Sequence, residues 1–189
     1  MNSNSISGTT LLDMSGNNNN AALYNSGEIQ TSSSYVPVSD LVDSYQTDVE
    51  ALWSSSGTTA SQESDGLSMS VSSTLAEANF AIFGNNNTTG TSTSDLPSGE
   101  SLQKRSTREW QVDEIGTVSA SVIIDISDAT GNSVSPAAAA NYKLLYKSCT
   151  ECDFTVKATG ASSSDDIITF SNVALQDGFY AIASTDSNL

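Results

Sequence analysis

Taken two residues at a time, the stretch Ser106–Ile126 sorts its side chains onto two faces. Arg108, Trp110 and Val112 share one side, while Thr107, Glu109 and Gln111 share the other. After the turn-prone segment Asp113–Gly116, alternation resumes. Val118, Ala120, Val122, Ile124 and Ile126 face one way; Thr117, Ser119, Ser121 and Asp125 face the other, with Ile123 the apolar exception. Successive side chains leave opposite faces of a pleated strand, so this pattern predicts two half-buried strands. A short Gly-containing turn between them reads as an antiparallel hairpin, taken as the spine of the core.

The same period recurs elsewhere. Leu67, Met69 and Val71 alternate with serines, and Ala78–Phe83 puts Phe80 and Ile82 on one face. Tyr142–Lys147 and Asp153–Ala158 form a further pair around Cys149-Thr150-Glu151-Cys152, and Asp166–Phe170 and Gly178–Ser184 follow. Residues 1–35 contain short apolar pieces split by Gly8, Gly16 with Asn17–Asn20, and Asn25–Gly27, which predicts two or three short strands. One helix is expected, over 37–52, with Asp40 as its cap and Leu41, Tyr45, Val49 and Leu52 at helical steps; a strand over Val49–Trp53 is the alternative. Pro136 bars Ser133–Ala140 from a central strand. Short strands with frequent turn signals predict an all-β, antiparallel sandwich, immunoglobulin-like or jelly-roll-like, with at most one short helix. Its expected division is a strand-rich segment 1–65 and a sandwich domain 66–189.

Composition sharpens the picture. Ser, Thr and Asn supply 70 of the 189 residues, which favours turns and exposed strand faces over helix interiors. With 22 acidic and 6 basic residues the net charge is -16, so nucleic acid and anionic membranes are poor partners. All six bases (Lys104, Arg105, Arg108, Lys143, Lys147, Lys157) lie after residue 103. That asymmetry is consistent with the N-terminal half of one copy meeting the C-terminal half of another, although plain solubility explains it too. No run of apolar residues is long enough to span a bilayer, and the first residues lack the basic and apolar regions of a signal peptide. Low Lys content with abundant Ser, Thr and Asn nevertheless points to a secreted surface protein, its leader removed or residue 1 internal to a larger precursor.

The chemical inventory is narrow. Without histidine there is no His-based triad, metal site or general base. The neighbouring acids Asp113–Glu114 and Asp165–Asp166 diverge on a strand or loop, so they read as solvated charge rather than a glycosidase pair. Asp125, Asp128 and Asn132 in DISDATGN, with Asp165 and Asp166, offer oxygen donors suited to calcium, though no DxDxDG loop is present. No other cofactor is expected. Cys149 and Cys152 lack the further ligands of a zinc site and the helix of a redox motif, so a disulfide stapling a hairpin end is the favoured reading, against free thiols. Trp110 with Arg108 reads as a core anchor, the sugar-binding platform being the alternative. A crosslink such as Lys157 to Asn172 draws no support from spacing.

These residues also carry a family likeness. Asp95-Leu96-Pro97-Ser98-Gly99, Arg108-Glu109-Trp110-Gln111-Val112-Asp113-Glu114 with Gly116-Thr117-Val118, Tyr142-Lys143-Leu144-Leu145 and Asp153-Phe154 resemble a β-rich module of very large bacterial surface proteins. Leu75–Gly84 and Asp13–Asn17 resemble other segments of those proteins, in which a concanavalin-like lectin domain commonly precedes the module. Ile115 and the Cys pair depart from the pattern. The resemblance implies export and a surface role without catalysis, and it transfers no catalytic residues. The expectation is therefore a non-enzymatic extracellular protein: a self-assembling, pilus-like filament or adhesive-fibre subunit whose segment 1–35 adds to a neighbour's sheet edge. The rival is a carbohydrate-binding adhesin module, with glycan partners held near Asn85–Asn87 and Trp53 or Trp110.

Overall fold

In the computed structural model, residues 6–7, 10–11, 21–22, 41–52, 61–72, 74–76, 79–187 and 189 are described. Asp40, Trp53 and most of the segment expected to form N-terminal strands lie outside them. The chain divides into two compact units, Met1–Val38 and Ser39–Leu189. In the first, β1 (Ile6–Ser7), β2 (Thr10–Leu11) and β3 (Ala21–Ala22) form a three-stranded antiparallel ladder.

The second unit is a two-sheet sandwich. Its larger sheet runs in the order β13 (Thr155–Thr159), β12 (Tyr142–Lys147), β16 (Gly178–Ser184), β10 (Trp110–Ile115), β7 (Phe80–Asn85) and β4 (Thr47–Leu52). Two short strands, β8 (Thr91–Ser92) and β9 (Lys104–Ser106), extend it alongside β16. The smaller sheet runs β14 (Ser162–Ser164), β15 (Ile167–Ala174), β11 (Ser119–Asp125), β6 (Leu67–Ser70) and β5 (Ser61–Ser64). Every pairing is antiparallel. The expected all-β sandwich is what the chain builds. Because β4 and β5 belong to its sheets, the division between units falls after Val38, not after residue 65.

The predicted spine is corrected in one respect. β10 and β11 are strands, but they do not pair with each other. β10 lies between β7 and β16, whereas β11 lies between β6 and β15 in the other sheet. The link over 116–118 crosses from sheet to sheet, so both alternating faces bury against one core. Trp110 and Val112 come from one side and Val118, Val122 and Ile124 from the other, all fully buried. Gly116 makes the crossing tight. Its φ of 82° is left-handed, and a Cβ there would collide with Asn79 Oδ1. Glu114 Oε1 accepts from the Val118 amide at 2.6 Å and ties the two strands across the bend.

Over the described part of the segment 37–52 no α-helix forms, and the alternative strand over Val49–Trp53 is found as far as Leu52. A 3-10 turn at Asp43–Tyr45 leads directly into β4, because Ala51 and Leu52 pair with β7 in the sheet. The described α-helix is the five-residue α1, Ile126–Thr130, capped at its start by Asp125 and closed by left-handed Gly131.

Candidate functional site

Polar chemistry concentrates where the larger sheet's outer face is covered. β16 reads GFYAIAS and is buried along its whole length. Its inward side chains, Tyr180 and Ile182, join the main core. Its outward side chains, Ala181 and Ala183, pack with Leu145 of β12 and with Phe154, and are roofed by Leu96 and Leu102 from the loop between β8 and β9. Such double-sided burial requires near-continuous apolar sequence, which is what β16 supplies.

Within this roofed layer sits a charged network centred on Glu109. Arg105 Nη1 donates to Glu109 Oε1 at 3.1 Å, and Lys147 Nζ to Oε2 at 3.1 Å. The Tyr45 hydroxyl also donates to Oε2, at 2.8 Å. All three ionised side chains are at most 10% exposed. Arg105 is further fixed by the Ser94 and Ser106 carbonyls and by Asp95 at 3.7 Å. The Phe154 ring lies 4.5 Å from Lys147 Nζ and 5.0 Å from the Arg105 guanidinium, and Phe179 stacks edge-on with Tyr45 at 4.8 Å. Burial first, then the Glu109 charge and its hydrogen bond, push the Tyr45 phenol above its ordinary range. The arrangement holds two cations against one carboxylate under aromatic cover. Sequence reasoning missed Glu109, Lys147 and Tyr45. The signal was there in Leu145 and Lys147, which share the face opposite Tyr142, Leu144 and Tyr146.

Beside the network, Asp95, Leu96, Pro97 and Glu100 face Asp153 and Phe154 across an open cavity of about 560 Å³. Three acids, Asp95, Glu100 and Asp153, are among its lining residues.

A second polar cluster closes one end of the sandwich. Arg108 pairs with Asp65 at 2.9 Å and donates to the Asp65, Thr88 and Thr89 oxygens. The Trp110 indole N–H donates to the Ser64 carbonyl at 2.8 Å, joining the two sheets. Asn85 reaches Ser64, Asp65 and Thr47 from the same corner. Arg108 and Trp110 therefore act together at the β5–β6 turn, with Trp110 fully buried.

Of the residues expected to suit calcium, Asp125 and Asp128 share the α1 turn. Asp125 caps α1, accepting from Ser127 Oγ at 2.7 Å and from the Asp128 amide at 3.2 Å. Asp128 is exposed on that turn; burial, then the charges of Asp125, Asp166 and Asp65, raise its carboxyl against the pull of Arg108. The Asp166 carbonyl accepts from the Ile126 amide, and Asp165 occupies a left-handed turn position. Asn132 belongs elsewhere, donating to the Leu189 carbonyl at 3.3 Å. Asp125, Asp128 and Asp166 are thus neighbours, but among the described residues no three acidic or thiol groups are arranged to hold a metal ion.

Cys149 and Cys152 are bonded, with Cα atoms 5.1 Å apart, at the end of the β12–β13 hairpin. A disulfide is a mark of an oxidising compartment outside the cytosol. No helix among the described residues is long and apolar enough to cross a membrane.

No curated protein and no solved structure matches the chain. One family does match, over residues 42–179, a span that covers the sandwich from the 3-10 turn to the start of β16 and well over half of the sequence. Its description is a domain of unknown function, DUF8202, and the chain belongs to that family.

Proposed function

We propose that the protein is a non-enzymatic extracellular structural unit that assembles with copies of itself into a filament or adhesive fibre. Its N-terminal segment adds as a strand to the sandwich edge of the next copy. The observation that carries this reading is the contrast among the sheet edges. On the larger sheet both outer strands are irregular. β4 slips register at left-handed Asp48, and β13 slips between its partners Leu144 and Leu145. Bulges and edge lysines discourage added strands. On the smaller sheet both outer strands, β5 and β14, pair in unbroken register, and the three serines of β14 are exposed. The two-residue turn Asp165–Asp166 makes Ser164 and Ile167 a hydrogen-bonded pair, and Ser162 with Thr169 is the next such pair. By alternation the Ser163 amide between them points outward, available to donate to an added strand.

The buried charges support a structural role. Glu109, Arg105, Lys147 and Arg108 are each engaged by groups of the same chain, in clusters that brace the fold. The family likeness to modules of large bacterial surface proteins and the disulfide fit an exported location. A carbohydrate-binding reading loses Trp110 as a platform, since Trp110 and Asn85 are fully buried, while Trp53 lies outside the described residues.

Deleting residues 1–38 tests the assembly. Electron microscopy and sedimentation of the intact chain are expected to show filaments or higher oligomers, absent from the deletion and weakened by Ser163→Pro. A monomeric intact chain, or assembly indifferent to both changes, contradicts it.

A further inference from the structure

Lys157 is held in an unusual place. Its neighbours in β13 pair regularly, Ala158 with Leu144 and Val156 with Leu145, which leaves Lys157 as the bulged residue. Its side chain lies along Tyr146, with Nζ 5.2 Å from the ring centre, and donates to Gln176 Oε1 at 2.5 Å. Gln176 is itself fixed. Its backbone N–H donates to the Tyr180 hydroxyl at 2.9 Å, and that hydroxyl donates back to the Gln176 backbone carbonyl at 3.0 Å. Amine and side-chain amide thus face each other from two anchored positions, with the amide carbon one covalent bond behind the contacted oxygen.

We propose that Lys157 and Gln176 are the reacting pair of an intramolecular isopeptide bond, formed by the folded chain itself. In this step the neutral Lys157 amine attacks Cδ of Gln176. The Nζ–Cδ bond forms and the bond from Cδ to the amide nitrogen breaks. One amine proton passes to the departing nitrogen, which leaves as ammonia. No oxidant, reductant or second substrate enters the balance. Holding the two groups together converts an otherwise slow encounter into a unimolecular one. Two features of the site bear on the amine. Burial lowers its affinity for a proton, which favours the nucleophilic form, and the charge of Glu114 opposes that shift. Asn172, the partner considered from sequence, and Gln176 are both exposed, but it is Gln176 that Lys157 contacts.

Such a bond would join the edge strand of the larger sheet to the connection between β15 and β16. It would clasp the two sheets at a point the disulfide does not reach. It is independent of whether copies assemble.

Intact mass of the purified, reduced chain tests it. The chain is expected to be lighter than its sequence by one ammonia, and a digest is expected to yield a branched peptide joining Lys157 to Gln176. Lys157→Arg and Gln176→Leu should both restore the full sequence mass. A wild-type chain that keeps the sequence mass on prolonged incubation overturns the proposal. So does an ammonia loss that maps to another residue or persists in both variants.

Discussion

Glu109 brings a carboxylate into a layer that solvent barely reaches, and its three donors decide whether that is tolerable. With Arg105, Lys147 and Tyr45 in place, each charge has a counterpart at about 3 Å. Removing the carboxylate leaves two buried cations facing each other, a situation that typically costs about 3–5 kcal/mol. Glu109→Ala is therefore expected to lower unfolding free energy by about that amount, read from denaturant midpoints. Replacing Glu109, Arg105 and Lys147 together by apolar side chains of similar volume should cost far less; equal losses would show that the network is not a charge-balanced unit. Tyr45 adds a pH signature. Its folded phenol holds a proton more tightly than the ordinary value of 10.0, so this stabilisation is complete below that pH and declines as pH rises through it. Tyr142, Tyr146 and Tyr180 shift the same way. Tyr45→Phe should thus make the alkaline fall in stability shallower without removing it, and an unchanged slope in alkaline melts would refute its part. At this scale the sequence was legible for Trp110, Arg108 and the Cys pair, whose patterns are local. The Glu109 cluster was not, because its members come from residues 45, 105, 109 and 147 and meet only through the sheet.

Elements were easier to read than their partners. Alternation located β6, β7, β10, β11, β12 and β16 closely, since burial of one face imposes period two. It could not distinguish a hairpin from a crossing between sheets, because Trp110–Val112 and Val118–Ile124 show the same pattern in either case. The deciding features were tertiary: Gly116 against Asn79, and the β7 and β15 edges waiting on opposite sides. The segment 41–52 failed for a related reason. Leu41, Tyr45 and Leu52 are all buried, as a helix would have them, but they are buried by a 3-10 turn followed by a strand. Gly116 offers the test at this scale. Its left-handed φ and the Asn79 contact predict that Gly116→Ala destabilises the fold by about 1–3 kcal/mol, visible as a lowered melting temperature. No loss would mean the crossing has room to relax.

For the whole molecule, charge and edges set what it can meet. Arg105, Arg108 and Lys147, half of the six bases, are buried in ion pairs, so the surface is more acidic than composition suggests. Attraction between the acidic N-terminal half of one copy and the basic residues of another's C-terminal half, which is itself net acidic, therefore has few exposed cations to draw on, and repulsion between copies is screened by salt. Backbone pairing at β14 needs no such charge match. Hydrogen exchange measured across the concentration range of assembly addresses this edge most directly. The account predicts that the Ser163 amide exchanges quickly in dilute intact chain and in a 39–189 fragment, and becomes protected as the intact chain assembles. An amide that stays equally fast while filaments form would contradict strand addition at β14.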